Sequence, residues 1–281
     1  MTWEEYCISQ LPLAKRMYQR YMKKTWDFKN PTTLSEKLWW LAIYDSTMLK
    51  SFCADKITLH DYSIMKLGKD ICVPIIAEYN KPEDIDFDTL PNKFVIKCNH
   101  GSGYNIIIKD KHTINKSDIY RKLHAWMNED YSLKHYCELH YKNIPHKIFI
   151  EEYMENKGKT ALTDYKVHCF NGNPKFCQVI TERFTNSLHF NYYDLDFKPM
   201  LKVSRNDHPA DYSKLDKPPY NWELMLQYAT KLSKDFKYVR VDFYEIDGKI
   251  YLGELTFTPN GGNIQYKNKQ TDIEFGKWLK V

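Results

Sequence analysis

Four residues near the end of the chain have types and spacing that could do chemistry: Arg240, Asp242, Glu254 and Thr256. They lie in "YVRVDFYEIDGKIYLGELTF", two strand-like runs joined at Asp247-Gly248. Strand side chains alternate faces, so Arg240 and Asp242 share one face while Val239, Val241 and Phe243 take the core side. A three-residue loop, Ile246-Asp247-Gly248, pairs Glu245 with Lys249 and Arg240 with Glu254. Glu254 and Thr256 then join the Arg240/Asp242 face. A two-residue Asp-Gly turn would send Glu254 to the other side, so the expectation rests on the longer loop. Two carboxylates on rigid strands make a seat for Mg2+, and magnesium brings nucleotide phosphates with it. The competing reading is a cross-strand ion pair between Arg240 and Glu254, worth little if exposed.

A second pattern is "FVIKCNHGSGYNIIIKD", from Phe94 to Asp110. A phosphate-binding P-loop carries its lysine after the glycines, at the start of a helix. Here Lys97 precedes the glycines and the loop returns to a strand. This is a hairpin whose tip, with Gly101 and Gly103, lets backbone N–H groups approach an anion, with Lys97 one short step away. Third, "KIFIEEYM" reads as a buried strand ending at Glu151, in the manner of a hinge whose backbone reads an adenine edge.

The elements that must position these groups follow from periodicity. Apolar residues recur at helical spacing from Pro12 to Lys24 in a basic amphipathic helix, read as packing on the domain beside it, with contact to an anionic membrane surface as the rival. Thr33 and Glu36 form a capping box opening a helix from about Leu34 to Tyr44. Another helix runs through "ADKITLHDYSIMKLG" and stops at Gly68. "ICVPII", Phe94–Cys98, Asn105–Lys109 and "KIFIEEYM" read as strands, with a helix around Ile119 to Met127. A hairpin, "DYKVHCF" and "KFCQVITERF", turns at "NGNP", and a helix spans about Trp222 to Lys234. Helices and hairpins alternate without a βαβ rhythm, which predicts an α+β fold with mixed or antiparallel sheets.

Composition sets the bounds. The 281 residues are 43% hydrophobic and 15% aromatic, with no like-charge block. The net charge of +5 is spread along the chain, which argues against nucleic acid and suits a small polyanion. Seven scattered cysteines include no CxxC pair and read as reduced core residues of a cytoplasmic protein. No apolar run approaches membrane-spanning length, and the first residues lack the pattern of a signal peptide.

The order of these elements resembles the ATP-grasp fold: Asp55-Lys56, then Lys97 before "HGSG", then "EEYM", then "RVDF" and "GEL". The blocks "LPNKFVIKCNHGSG", "DYKVHCFNGNPKF", "NYYDLDF" and "GELTFTPNGG" resemble the TupA-like branch of that superfamily, named for teichuronopeptide biosynthesis. The resemblance implies two lobes closing on ATP. The expected division is an N-terminal helical segment at 1–54, in place of the usual α/β domain, a first lobe with the glycine-rich lid at 55–150, and a second lobe with the metal hairpin at 151–281.

Carried over by position, the resemblance implies that Lys56, Lys97 and Lys166 hold phosphates, with His100, Gly101, Ser102 and Gly103 in the lid. Glu151, Glu152, Tyr153 and Met154 contact adenine, and Asp164 takes the ribose. Asp242, Glu254 and Thr256 bind Mg2+, while Arg240 and Lys97 serve the transferring phosphoryl group. Thr256 stands where many ATP-grasp enzymes have asparagine, which leaves the metal set in need of help from Asn260. Arg183 and Asn260 are candidates for the acceptor. The implied activity is an ATP-dependent carboxylate–amine ligase forming an amide through an acyl phosphate, on an acidic sugar or glycan precursor of bacterial surface polysaccharide. The expected location is cytoplasmic, with the inner face of the membrane, met through the basic N-terminal helix, as the rival. The alternatives are an ATP-grasp kinase, a binding module with a decayed site, and a glycosyltransferase using the Asp194-Leu195-Asp196 pair.

Overall fold

The computed structural model describes residues 1–134, 136–155, 161–182, 188–213 and 216–281. Helices α1 (Trp3–Ser9), α2 (Leu11–Met22), α3 (Leu34–Tyr44), α4 (Met48–Ala54) and α5 (Leu59–Leu67) come first. The Thr33/Glu36 capping box opens α3, satisfying backbone donors that the first turn leaves unpaired, and Gly68 ends α5 in the left-handed conformation. The α2 side chains Ala14 and Tyr18 are buried, and Tyr18 meets Trp39 of α3 edge to face at 5.7 Å. The apolar stripe of this helix is therefore spent inside the protein.

A four-stranded sheet follows, β1 (Ile75–Tyr79), β2 (Phe94–Cys98), β3 (Asn105–Ile108) and β4 (Ile148–Glu152), in the order β1-β4-β2-β3 with every pair antiparallel. Helix α6 (Lys116–Met127) covers one face, packing Ile119 and Leu123 on Phe94, Ile96, Ile148 and Ile150. Strand β4 runs through 150 and belongs whole to this sheet, so the first sheet ends at Glu152.

The second sheet has five strands, β5 (Asp164–Phe170), β6 (Asn173–Thr181), β7 (His189–Tyr193), β8 (Tyr238–Ile246) and β9 (Lys249–Thr256), ordered β7-β6-β5-β8-β9 and again antiparallel. One face carries Val167, Cys169, Val241, Phe243 and Leu252 against α7 (Trp222–Ser233). The other face is divided. Phe176, Tyr192 and Tyr238 lie at its aromatic end under α3 and α8 (Lys269–Trp278), and charged side chains occupy the rest. All seven cysteines are buried free thiols. Among the described residues no helix is long and apolar enough to cross a membrane.

The β8–β9 connection corrects the expected loop. Ile246 pairs with Lys249, so Asp247-Gly248 is a two-residue turn, with φ of 49° and 73°. Both central residues adopt positive φ, as a tight hairpin that matches strand twist requires. Glu254 nevertheless reaches the Asp242 face, because the ladder jumps from Phe243↔Leu252 to Asp242↔Glu254 and leaves Gly253 as an extra, bulged residue. Arg240 consequently faces Thr256 and not Glu254 in the register.

Candidate active site

The charged half of the second sheet is one connected cluster. Lys166 stands opposite Asp242 in the β5–β8 register, and its ammonium binds the Asp242 carboxylate directly. It also lies 3.6 Å from Asp164. From the other side Arg240 grips Asp242 with two nitrogens, Nε at 2.6 Å and Nη2 at 2.7 Å. Nη2 also donates to Glu254 Oε1 at 3.1 Å and to Thr256 Oγ1 at 3.0 Å. Thr256 in turn donates to Glu254 Oε1 at 2.9 Å. Alternation on β5, β8 and β9, with the bulge at Gly253, puts every one of these side chains on one face.

Burial makes the charges matter. Asp164, Lys166 and Asp242 are almost fully covered, while the Glu254 side chain keeps about a third of its surface. Burial acts to raise the Glu254 carboxyl, but Lys166, Arg240 and Lys56 outweigh it and hold the group well below the usual carboxylate range. For Asp242 burial dominates and, with the neighbouring Glu254 charge, raises the carboxyl against Arg240 and Lys166. The donor set of two carboxylates and a hydroxyl is all oxygen, which fits magnesium. Glu254 is its accessible member. Both Asp242 oxygens are already engaged by Arg240, and one of them also by Lys166.

Two further cations are Lys97, on the first sheet, and Lys56, between α4 and α5. Lys97 and Glu151 lie on one face of β2 and β4 and form an ion pair. Lys56, just after α4, donates to the Gly101 carbonyl at 2.6 Å. Burial lowers its ammonium, with Lys97 adding to the effect, and it senses Glu254 from one sheet and Glu151 from the other. Lys56 is thus within electrostatic reach of acidic groups on both sheets.

At the hairpin tip the two glycines serve different ends. Gly103 has φ of 78°, the conformation expected of a glycine turn. Gly101 has ordinary φ, and its lack of a side chain makes room for rings: a Cβ there would lie 2.6 Å from Tyr104 and 2.8 Å from Tyr131. Ser102 is exposed. His100 is not offered to a ligand. It is fully buried, stacked 3.6 Å from His146, and bonded through Nε2 to the Trp126 carbonyl at 2.9 Å.

Glu152 is exposed at the end of β4, with Tyr153 and Met154 half-buried after it. Asn260 points elsewhere: its amide oxygen accepts from Arg205, 3.2 Å from Nη1, and Arg205 is also clamped to Asp207. Arg183 lies outside the described residues. The Asp194-Leu195-Asp196 pair is spent inside a turn, with Asp194 accepting from the Lys198 amide at 2.8 Å and Asp196 pairing with the Lys198 ammonium at 3.1 Å.

One group at the site is invisible in the sequence pattern. Glu138, in the segment between α6 and β4, is buried and accepts from Thr258 Oγ1 at 2.5 Å. No motif marks it; it is a lone acid in an irregular stretch.

Residues 36–280 match the family described as TupA-like ATPgrasp. No curated protein matches the chain in sequence. Among solved structures, a D-alanine–D-alanine ligase from Helicobacter pylori aligns with 81% of this chain and 59% of its own, at 15% identity and a TM-score of 0.44. The Bacillus anthracis D-alanine–D-alanine ligase complexed with ATP aligns with 78% of this chain and 55% of its own, at 18% identity and a TM-score of 0.40. The D-cycloserine synthetase DcsG covers 80% of this chain and 69% of its own, at 12% identity and a TM-score of 0.41. The chain thus spans less than two thirds of the length of the two D-alanine–D-alanine ligases. With 36–280 matched, and with the lysines, glycine hairpin and acidic hairpin set as described, the chain belongs to the TupA-like ATP-grasp family.

Proposed function

We propose that the protein is an ATP-dependent carboxylate–amine ligase, with ATP lying between a first lobe that ends with β4 at Glu152 and a second lobe that holds the β5–β9 sheet. The observation that carries this reading is the Lys166–Asp242–Arg240–Glu254 row facing Lys56 and Lys97. Lys56 lies within electrostatic reach of Glu254 on that row and of Lys97 and Glu151 on the first sheet, which supports a nucleotide site shared by the two sheets.

In this reading Lys56, Lys97 and Lys166 bind the phosphates as point charges, and Arg240 offsets charge as the terminal phosphoryl group moves. Asp242, Glu254 and the Thr256 hydroxyl would hold magnesium, which when bound screens the phosphates against one another. Tyr153, Met154 and the end of β4 frame the adenine, and Asp164 the ribose. The protein's work is positioning and charge compensation, the main source of catalysis in phosphoryl transfer. The acceptor carboxylate becomes an acyl phosphate, and an amine displaces the phosphate to give an amide. An acidic sugar or glycan precursor of surface polysaccharide, used at the cytoplasmic face of the membrane, is the substrate class that the family suggests. A kinase on the same fold would share every residue named and stop after the first transfer.

The test is calorimetry of ATP binding with and without magnesium, beside UDP-sugars, on the wild type, Glu254→Gln and Asp242→Asn. Metal-dependent ATP binding that weakens at least about tenfold in Glu254→Gln is expected. A preference for UDP-sugars over ATP would overturn the reading.

A further inference from the structure

Within β9, alternation sets Glu254 and Thr256 on one side and Leu255 in the core. Just past the strand Phe257 also enters the core, and Thr258 follows it. Thr256 binds back to Glu254, and Thr258 binds Glu138 at 2.5 Å. Glu138 thus closes the row at the end away from the hairpin turn, and it comes from a different part of the chain. Its backbone N–H is pinned to the Ser132 carbonyl at 2.9 Å, and its own carbonyl accepts from Tyr141 at 3.0 Å. Among the described residues it forms no ion pair, although it is buried. A buried carboxyl without a cation is costly, and such groups gather where a charge arrives with a ligand.

We propose that Glu138 is the acceptor-side acid–base residue: its carboxylate receives the nucleophilic amine and takes the proton released as the amide forms. This rests on the ligase reading above. In the step, the amine nitrogen lone pair forms the C–N bond with the acyl carbon. The bond from that carbon to the phosphate oxygen breaks, and phosphate leaves with the electron pair. The proton shed by the nitrogen goes to a Glu138 oxygen. The surroundings suit a proton acceptor. Burial pushes the carboxyl up to about 7, Glu254 on β9 pushes the same way, and the Thr258 hydroxyl and Lys56 oppose. Tyr131, Tyr136, Cys137 and Tyr141, the other titratable groups that sense it, all belong to its own segment and are raised, so they stay neutral through this range.

The deciding experiment is a carbon-13 NMR titration of metal- and nucleotide-free protein labelled at glutamate carboxyls, on the wild type and Glu138→Gln. A carboxyl titrating near pH 7 in the wild type and missing from the variant is expected. A Glu138 signal that titrates in the ordinary carboxylate range overturns the proposal, whatever the activity. Turnover then separates acid–base work from simple support of Thr258, because the glutamine oxygen still accepts that hydrogen bond. With glucuronate and an ordinary alkylamine such as ethanolamine as probes, Glu138→Gln should lower ATP turnover by about 100-fold or more and remove the acidic limb of the pH profile. Equal turnover and equal pH profiles overturn the role of Glu138 alone. Failure of the wild type to bind Mg2+ and ADP overturns the ligase reading, and with it this role.

Discussion

Asp242 and Glu254 stand opposite each other because the ladder between β8 and β9 skips Gly253. Were Gly253 paired, Glu254 would fall opposite Val241 and enter the core, where an unpaired carboxylate costs several kcal/mol.

The bulge is therefore tested by its own removal. Deleting Gly253 leaves Glu254 as the next residue opposite Asp242, in an unbroken ladder, so metal-dependent ATP binding should persist. Gly253→Val should do the reverse. Its side chain starts 2.9 Å from the Tyr244 ring, and overpacking there should destabilise by about 1–3 kcal/mol in urea unfolding and weaken ATP binding. A deletion that abolishes binding while the substitution spares it would contradict the register argument.

Lys166 occupies the Asp242 carboxylate before any ligand arrives. Lys166→Gln should remove one of the two cations held on that carboxylate, so that manganese, read by electron paramagnetic resonance on nucleotide-free protein, binds on the order of tenfold more tightly. ATP affinity should fall in the same variant, since a phosphate contact is lost. Unchanged affinity for both ligands would mean that Lys166 is only a structural partner of Asp242.

Acid sensitivity follows from two buried histidines. Burial lowers His100 to about 4, with the Trp126 carbonyl opposing and His146 adding to the drop, and burial lowers His140 to about 3. Both folded values lie below the unfolded value of about 6.5, so the unfolded chain takes up protons first as pH falls. Their contribution is complete above about pH 6.5 and is lost as pH falls toward 4, on the order of 3 kcal/mol for His100 alone. Urea midpoints measured between pH 7 and 4 should show this fall, and His100→Asn should flatten part of it.

Gly101 should prove less replaceable than Gly103. An added methyl at Gly101 meets Tyr104 and Tyr131 below 3 Å, whereas a Cβ at Gly103 meets nothing but must accept a positive φ. Gly101→Ala should cost about 1–3 kcal/mol and displace the hairpin tip, and Gly103→Ala about 1 kcal/mol. Thermal unfolding of the pair checks the order.

Much of this was written in the sequence. Period-two alternation set Arg240 and Asp242 on one face, and a capping box placed the start of α3 at Leu34. The glycine hairpin and its lysine were found from residue order alone. The two-residue turn was not: an Asp-Gly turn and a bulge together give the same parity as the expected three-residue loop without one. Gly253 inside an otherwise regular strand was the available signal. His100 has the composition of a lid residue, yet stacking on His146 takes it inside, a tertiary contact that spacing does not encode. Glu138 left no local trace, because its meaning comes from Thr258, 120 residues later in the chain.

The tyrosine beneath Gly101 and the acid beside Thr258 belong to one short stretch, tied across by the Glu138–Ser132 backbone bond. If the hairpin tip shifts when ATP enters, Tyr131 shifts with it, and Glu138 follows. The hypothesis is one of timing: the nucleotide binds first, and only then is the amine's place complete. Initial-rate kinetics would read this as compulsory order with ATP leading, and random addition would show that the stretch carries no such message.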